Sequence, residues 1–178
     1  YNGALVSHSS GSGGAPFFWP RYAMQEKETA MIHEIIFREV FEAHKYSTLA
    51  IVSFSMGVYI AGVITANALR AMGDAGYPLS TVTPGIELQP ILRTIKELGP
   101  SFGQIVLAGY PPFIKDVLDA GADVGIDWKK LKIKFLFATE NFTEEWREFI
   151  HSAVGQDGRL DTSINIYGSA EAAVLGHE

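Results

Sequence analysis

Residues 5–20 read LVSHSSGSGGAPFFWP, and the reading of this stretch organises the rest of the chain. An apolar run, Ala4, Leu5 and Val6, has strand character and stops at His8. It opens into Ser9, Ser10, Gly11, Ser12, Gly13 and Gly14, followed by Ala15 and Pro16. Hydroxyls and bare backbone in this order can fold N–H and O–H groups around a concave centre, as a loop does when it holds a phosphate-like anion. Glycine suits such a loop because positive φ and close backbone approach strain it little. A flexible connector has the same composition, so placement directly after a strand is what favours anion binding. The loop is not a Walker loop, since Gly-Lys-Ser/Thr occurs nowhere in the chain.

Beyond the loop, apolar runs alternate with helical patterns, the rhythm of βαβ units and a parallel sheet. Residues 17–21 form the extended exit of the loop. A helix is expected over residues 26–44, with Ile32, Ile36 and Val40 recurring every four residues and Met31 and Ile35 widening the stripe. Strands are expected over 49–53, 79–82, 104–108, 132–137 and 163–166. Helices are expected over 58–72, 87–98 and 111–120, and one more carries Trp146, Phe149 and Ile150. Asn141, with Glu144 three residues on, reads as the capping pair of that last helix. No internal repeat or domain boundary interrupts the series, so residues 1–178 are expected to form one α/β domain, three layers deep, around a mainly parallel sheet.

Composition narrows the function classes. An apolar content of 47% excludes disorder, and 14 basic against 20 acidic residues leave a net charge of −6. That balance gives no electrostatic footprint for nucleic acid or anionic lipid. Without cysteine there are no disulfides or thiolate metal sites, which fits a reducing, cytoplasmic setting. No apolar run reaches the roughly 18 residues of a membrane helix. The chain starts at Tyr1 and stops at Glu178 straight after a motif, and it reads as a piece of something longer.

Three further segments carry chemistry. Tyr167-Gly168-Ser169-Ala170-Glu171 follows a strand, at the edge where open α/β sheets place ligands. A tyrosine face there can stack on a base, and a glutamate can hold a cation. Ala138-Thr139-Glu140-Asn141 also follows a strand directly. Both segments read equally well as plain strand ends with solvated or capping side chains. Ser53-Phe54-Ser55-Met56-Gly57, between a strand and a helix, has the outline of a nucleophile elbow. A serine hydrolase using Ser55 would draw its acid and base from Asp127 or Asp157 with His151 or His177. The five histidines show no metal-ligand spacing and read as helix-surface residues.

Taken in order, the loop and the two strand-end motifs resemble those of the adenylate-forming enzymes. Ser9–Pro16 is similar to their Ser/Thr/Gly-rich phosphate loop, Tyr167–Glu171 to their Tyr-Gly-x-Thr/Ser-Glu motif, and Ala138–Asn141 stands at their adenine-side segment. The Ser-Ser opening and short spacing look most like the phenylacetate–CoA ligase branch. The departures are Gly13 for a hydroxyl residue, Ala15 for the loop lysine, Ala170 for Thr/Ser and Asn141 for proline. The resemblance implies a ligase that joins a small carboxylic acid to a thiol, with ATP, Mg²⁺ and coenzyme A as its cofactors and co-substrate. An acyl-adenylate forms first and a thioester second. In that scheme Ser9, Ser10, Gly11, Ser12, Gly13 and Gly14 hold phosphates and Glu171 holds Mg²⁺ as the catalytic carboxylate. Ala138, Thr139, Glu140, Tyr167, Gly168 and Ser169 border the nucleotide. The substitutions at Ala15 and Ala170 also admit a non-catalytic nucleotide-binding remnant.

Overall fold

The computed structural model describes residues 4–9 and 14–178. The chain runs through β1 (Leu5–His8), β2 (Phe18–Arg21), α1 (Ala23–Glu39), β3 (Thr48–Ser53), α2 (Ile60–Asp74), β4 (Leu79–Val82) and α3 (Leu88–Leu98). It continues with β5 (Gln104–Gly109), α4 (Pro111–Asp123), β6 (Ile133–Ala138), α5 (Glu144–Ala153), β7 (Ser163–Ser169) and β8 (Ala173–His177).

Six strands form one sheet in the order β4-β3-β5-β6-β7-β8, parallel except for the β7–β8 pair. Every residue of β3 and β5 is buried, because helices cover both faces of these central strands. Strand alternation sorts the core into two layers. Leu49, Ile51, Ile105, Leu107, Phe135 and Phe137 meet α3, α4 and α5 on one face. Ala50, Val52, Val106, Ala108, Leu136 and Ile166 meet α1 and α2 on the other. The expected three-layer α/β architecture with a mainly parallel sheet is the one observed.

Several local expectations change. The first strand does not join the parallel sheet. It pairs antiparallel with the aromatic segment, His8 opposite Phe18 and Leu5 opposite Arg21, in a separate two-stranded sheet. Composition could not show this, since an extended loop exit and a hairpin strand share the same residues. A sixth sheet strand, β8, follows the Tyr167–Glu171 segment and turns back on β7. Helix α1 starts and ends earlier than residues 26–44, and the chain turns at Glu42, whose φ is 52°. Its buried face is Thr29, His33, Ile36 and Phe37, while Met31 and Ile35 face outward. Thr143 rather than Asn141 caps α5, its hydroxyl accepting from the Trp146 amide at 3.3 Å.

Lys134 enters β6 as a buried cation. Its Nζ donates to the carbonyl oxygens of Phe41 at 2.9 Å and Val40 at 3.4 Å, satisfying groups left open at the end of α1. Burial, with Lys132 nearby, pushes its pKa down to about 8.

Candidate functional site

A cavity of about 250 Å³ opens at the C-terminal edge of the sheet, between α1, α2 and the ends of β6 and β7. Two directions give it depth. Parallel strands end at its mouth, so Ala138, Thr139, Gly168, Ser169 and Ala170 lie there, and Leu136 and Ile166 lie below. Helix α2 starts at the same edge and runs back, so Tyr59 and Ile60 are near the mouth and Ile64 and Thr65 are deeper. Phe54 and Val174 complete an apolar wall, and His8 and His33 bring the only ring nitrogens into it among the described residues.

Local backbone explains two of the mouth positions. Thr139 leaves β6 with φ 77°, a left-handed conformation rare for a β-branched residue. Such strain collects where the surroundings fix a residue for a purpose. At the end of β7 the register slips between Tyr167 and Gly168, and a Cβ on Gly168 would overlap the carbonyl oxygen of Ala173. Glycine is therefore what lets β8 approach, and the Tyr167 ring beside it stands 69% exposed.

The hairpin closes over this edge. The His8 amide donates to the Val58 carbonyl at 3.2 Å, and its ring meets Tyr59 edge-on at 5.1 Å. At the base of the glycine loop the Ser9 amide donates to the Phe17 carbonyl at 3.0 Å, and the Phe17 amide donates back to Ser9 Oγ at 3.1 Å. Ser9, which the resemblance assigns to phosphate binding, thus ties the end of β1 to the aromatic segment. Gly14 has φ 138°, a conformation that side chains resist. Ser10, Gly11, Ser12 and Gly13 lie outside the described residues.

Glu171 sits exposed in the turn between β7 and β8, one residue past Ala170 at the cavity mouth. Glu140 is also exposed. Among the described residues no cluster of three His, Asp or Glu side chains forms a metal cage. A lone carboxylate still fits Mg²⁺, which commonly takes one or two protein carboxylates and completes its shell with phosphates and water.

Sequence reasoning missed Arg21, His33 and Thr65 here. Arg21, 2% exposed, donates to the carbonyls of Ala170 and Glu171 and pairs with Glu26. His33, 1% exposed, donates from Nδ1 to the Thr29 carbonyl at 2.9 Å, and its Nε2 lies 3.2 Å from Thr65 Oγ1. Burial pushes the His33 pKa down, against the opposing pull of the Thr29 bond, and the ring is neutral. The usable signal was the polar series Thr29, His33 with Ile36 and Phe37 at helical spacing, adjoining the stripe of Ile32, Ile36 and Val40.

The expected surface character of the histidines fails at His33 and at His151, which is fully buried against Phe135 with Thr162 at 3.2 Å from its Nδ1. The hydrolase constellation does not assemble either. Helix α2 begins only at Ile60, so Ser55 is not on a sharp strand-to-helix turn. Asp127 pairs with Lys130, and Asp157 accepts from Ser152.

No protein-family model and no curated protein matches the sequence. Solved structures match the fold. An open 2-hydroxyisobutyryl-CoA ligase in complex with 2-HIB-AMP and CoA shares 12% identity at a TM-score of 0.67, over 93% of this chain and 36% of that one. The same ligase in its thioesterification state gives 13% and 0.65, over 91% and 32%. An acyl-CoA synthetase (AMP-forming)/AMP-acid ligase II-like protein from Dyadobacter fermentans gives 18% and 0.58, over 99% and 44%. The chain spans about a third to under half the length of these ligases. Over nearly its whole length it shares the fold of a part of these ligases.

Proposed function

We propose that this chain is the ATP- and acid-binding part of an adenylate-forming carboxylate–CoA ligase of the phenylacetate–CoA ligase-like branch, working in the cytoplasm as one α/β domain of an intact enzyme. The observation that carries the reading is convergence. His8 from the hairpin, Ala138 and Thr139 from the end of β6, and Gly168 to Ala170 from the end of β7 border one cavity at one edge of the sheet. Two of these are segments whose order in the sequence resembles that superfamily, and His8 immediately precedes the third, the Ser9–Pro16 loop.

In this reading the acid lies in the cavity with its carboxylate at the mouth. The hairpin-loop amides and hydroxyls, Ser9 to Gly14, hold the phosphates above it. Tyr167 and the Ala138–Glu140 backbone border the adenine. A carboxylate oxygen attacks the α-phosphorus of ATP, the bond to pyrophosphate breaks, and an acyl-adenylate forms. The coenzyme A sulfur then attacks the acyl carbon, and AMP leaves as the thioester forms. Mg²⁺, when bound, would neutralise charge on the phosphates, and in this reading Glu171 would hold it. The chain's contribution is mostly orientation and fixed dipoles aimed at developing charge. The apolar cavity keeps water from the mixed anhydride.

The test is carboxylate-dependent ATP–pyrophosphate exchange by the intact protein over a panel of small acids. Exchange that needs both acid and Mg²⁺ is expected. ATP binding with no exchange for any acid would leave the non-catalytic nucleotide-binding reading in its place.

A further inference from the structure

From the floor of the cavity we infer that the acid this site accepts is an apolar one whose far end carries a neutral hydrogen-bond donor, a hydroxyl or an uncharged N–H, received by Thr65 Oγ1. The inference rests on the ligase reading only for the word acid. The donor requirement comes from the geometry of one buried relay.

The Thr29 carbonyl can only accept, so His33 Nδ1, 2.9 Å away, carries the proton of the imidazole. A neutral imidazole then leaves Nε2 as a bare acceptor. Thr65 Oγ1, 3.2 Å from it, must donate its single proton there. The hydroxyl proton is thus committed, and what Thr65 still offers is lone pairs. A ligand carbonyl, ether or carboxylate at this depth would face an acceptor, whereas a hydroxyl or N–H would face a partner.

Depth decides which end of the ligand meets it. Thr65 and His33 are almost fully buried, and they share the floor with Ile64, Leu136 and Ile166. The mouth carries Thr139 and Ser169, where the carboxylate must stay to reach the phosphates. The donor therefore belongs on the skeleton away from the carboxylate. A charged ammonium is the wrong donor. Among the described residues that line the cavity there is no carboxylate to offset its desolvation, which is severe in apolar surroundings.

The experiment compares para-hydroxyphenylacetate, phenylacetate and para-methoxyphenylacetate by titration calorimetry on the intact protein. These acids differ in whether the tail donates, lacks polarity or only accepts. The hydroxy acid is expected to bind about five- to tenfold more tightly than either partner, the scale of one neutral hydrogen bond in a dry site. Thr65→Val keeps the shape, removes the acceptor, and should bring that ratio to about one, while Thr65→Ser should retain it. The inference is overturned if the methoxy or unsubstituted acid binds as tightly as the hydroxy acid, if the preference survives in Thr65→Val, or if none of the three binds. Failure of the ligase reading looks different. A donor preference in binding, with no acid supporting pyrophosphate exchange, removes the ligase and leaves the donor rule standing. Exchange with plain acids and no preference removes the donor rule alone.

Discussion

Arg21 Nη1 donates to the carbonyl oxygens of both Ala170 and Glu171 at 3.4 Å, joining β2 to the β7–β8 turn across 149 and 150 residues of sequence. Its Nε reaches Glu26 Oε1 at 3.3 Å, so the guanidinium is held from the helix side as well. A planar fork can serve these acceptors together, and a lysine ammonium cannot match its geometry. With alanine at position 15 no lysine stands in the glycine loop, and Arg21 is the buried cation that adjoins the turn of Glu171. Arg21→Lys should therefore loosen the turn rather than the cavity. In pyrophosphate exchange, the Mg²⁺ concentration for half-maximal rate should rise about tenfold, in line with the loss of a charge-assisted bond. The KM for the acid should stay put. A rise in the acid KM with an unchanged Mg²⁺ requirement would show that Arg21 acts elsewhere.

Glu171→Gln keeps the shape and removes the charge. Adenylation is expected to fall by roughly tenfold to a thousandfold, the range seen when one electrostatic stabiliser is removed. The same exchange assay across a Mg²⁺ titration measures it. Restoring lysine at Ala15 should partly relax the Mg²⁺ requirement, because it returns a positive charge to the loop. Equal exchange rates for wild type and Glu171→Gln would remove Glu171 from the metal site.

Gly168→Ala puts a methyl where the Ala173 carbonyl already sits. Either β8 shifts or the bulge at Tyr167 opens, and overpacking of this kind costs about 1–3 kcal/mol. Denaturant unfolding should register that loss. A variant as stable as wild type would mean the hairpin adapts without strain.

Lys134 gives the protein an alkaline signature. Its folded pKa, about 8, lies below the ordinary 10.5. Between these values the unfolded chain binds the proton and the folded one does not, so stability rises with pH through that window. Below about 8 both states are charged, and the burial penalty is constant. Glu42 and Asp161 oppose the shift, while Lys132 and Arg159 favour it. Measured against Lys134→Met, the wild type should gain stability from pH 8 to 10.5 in urea unfolding. A flat difference across that range would show that Lys134 keeps its ordinary pKa in the fold.

The layered α/β architecture was legible because it follows from local pattern. Runs such as residues 49–53 and 104–108 are apolar on both faces, and only a sheet covered twice hides such strands. The motif order was legible too, since the loop and both strand-end segments are contiguous in sequence. What the sequence left open depends on pairings between segments that no single segment's pattern specifies. The antiparallel pairing of β1 with β2, the return of β8 and the bond from Arg21 to the Glu171 turn all join segments that no local periodicity relates. The floor of the cavity is of the same kind. His33 and Thr65 lie on different helices 32 residues apart, and each looks unremarkable alone. The Thr29 bond within α1 fixes the proton on one ring nitrogen, but only packing of α1 on α2 removes both residues from water and sets Thr65 against the other nitrogen, which turns the threonine into an acceptor.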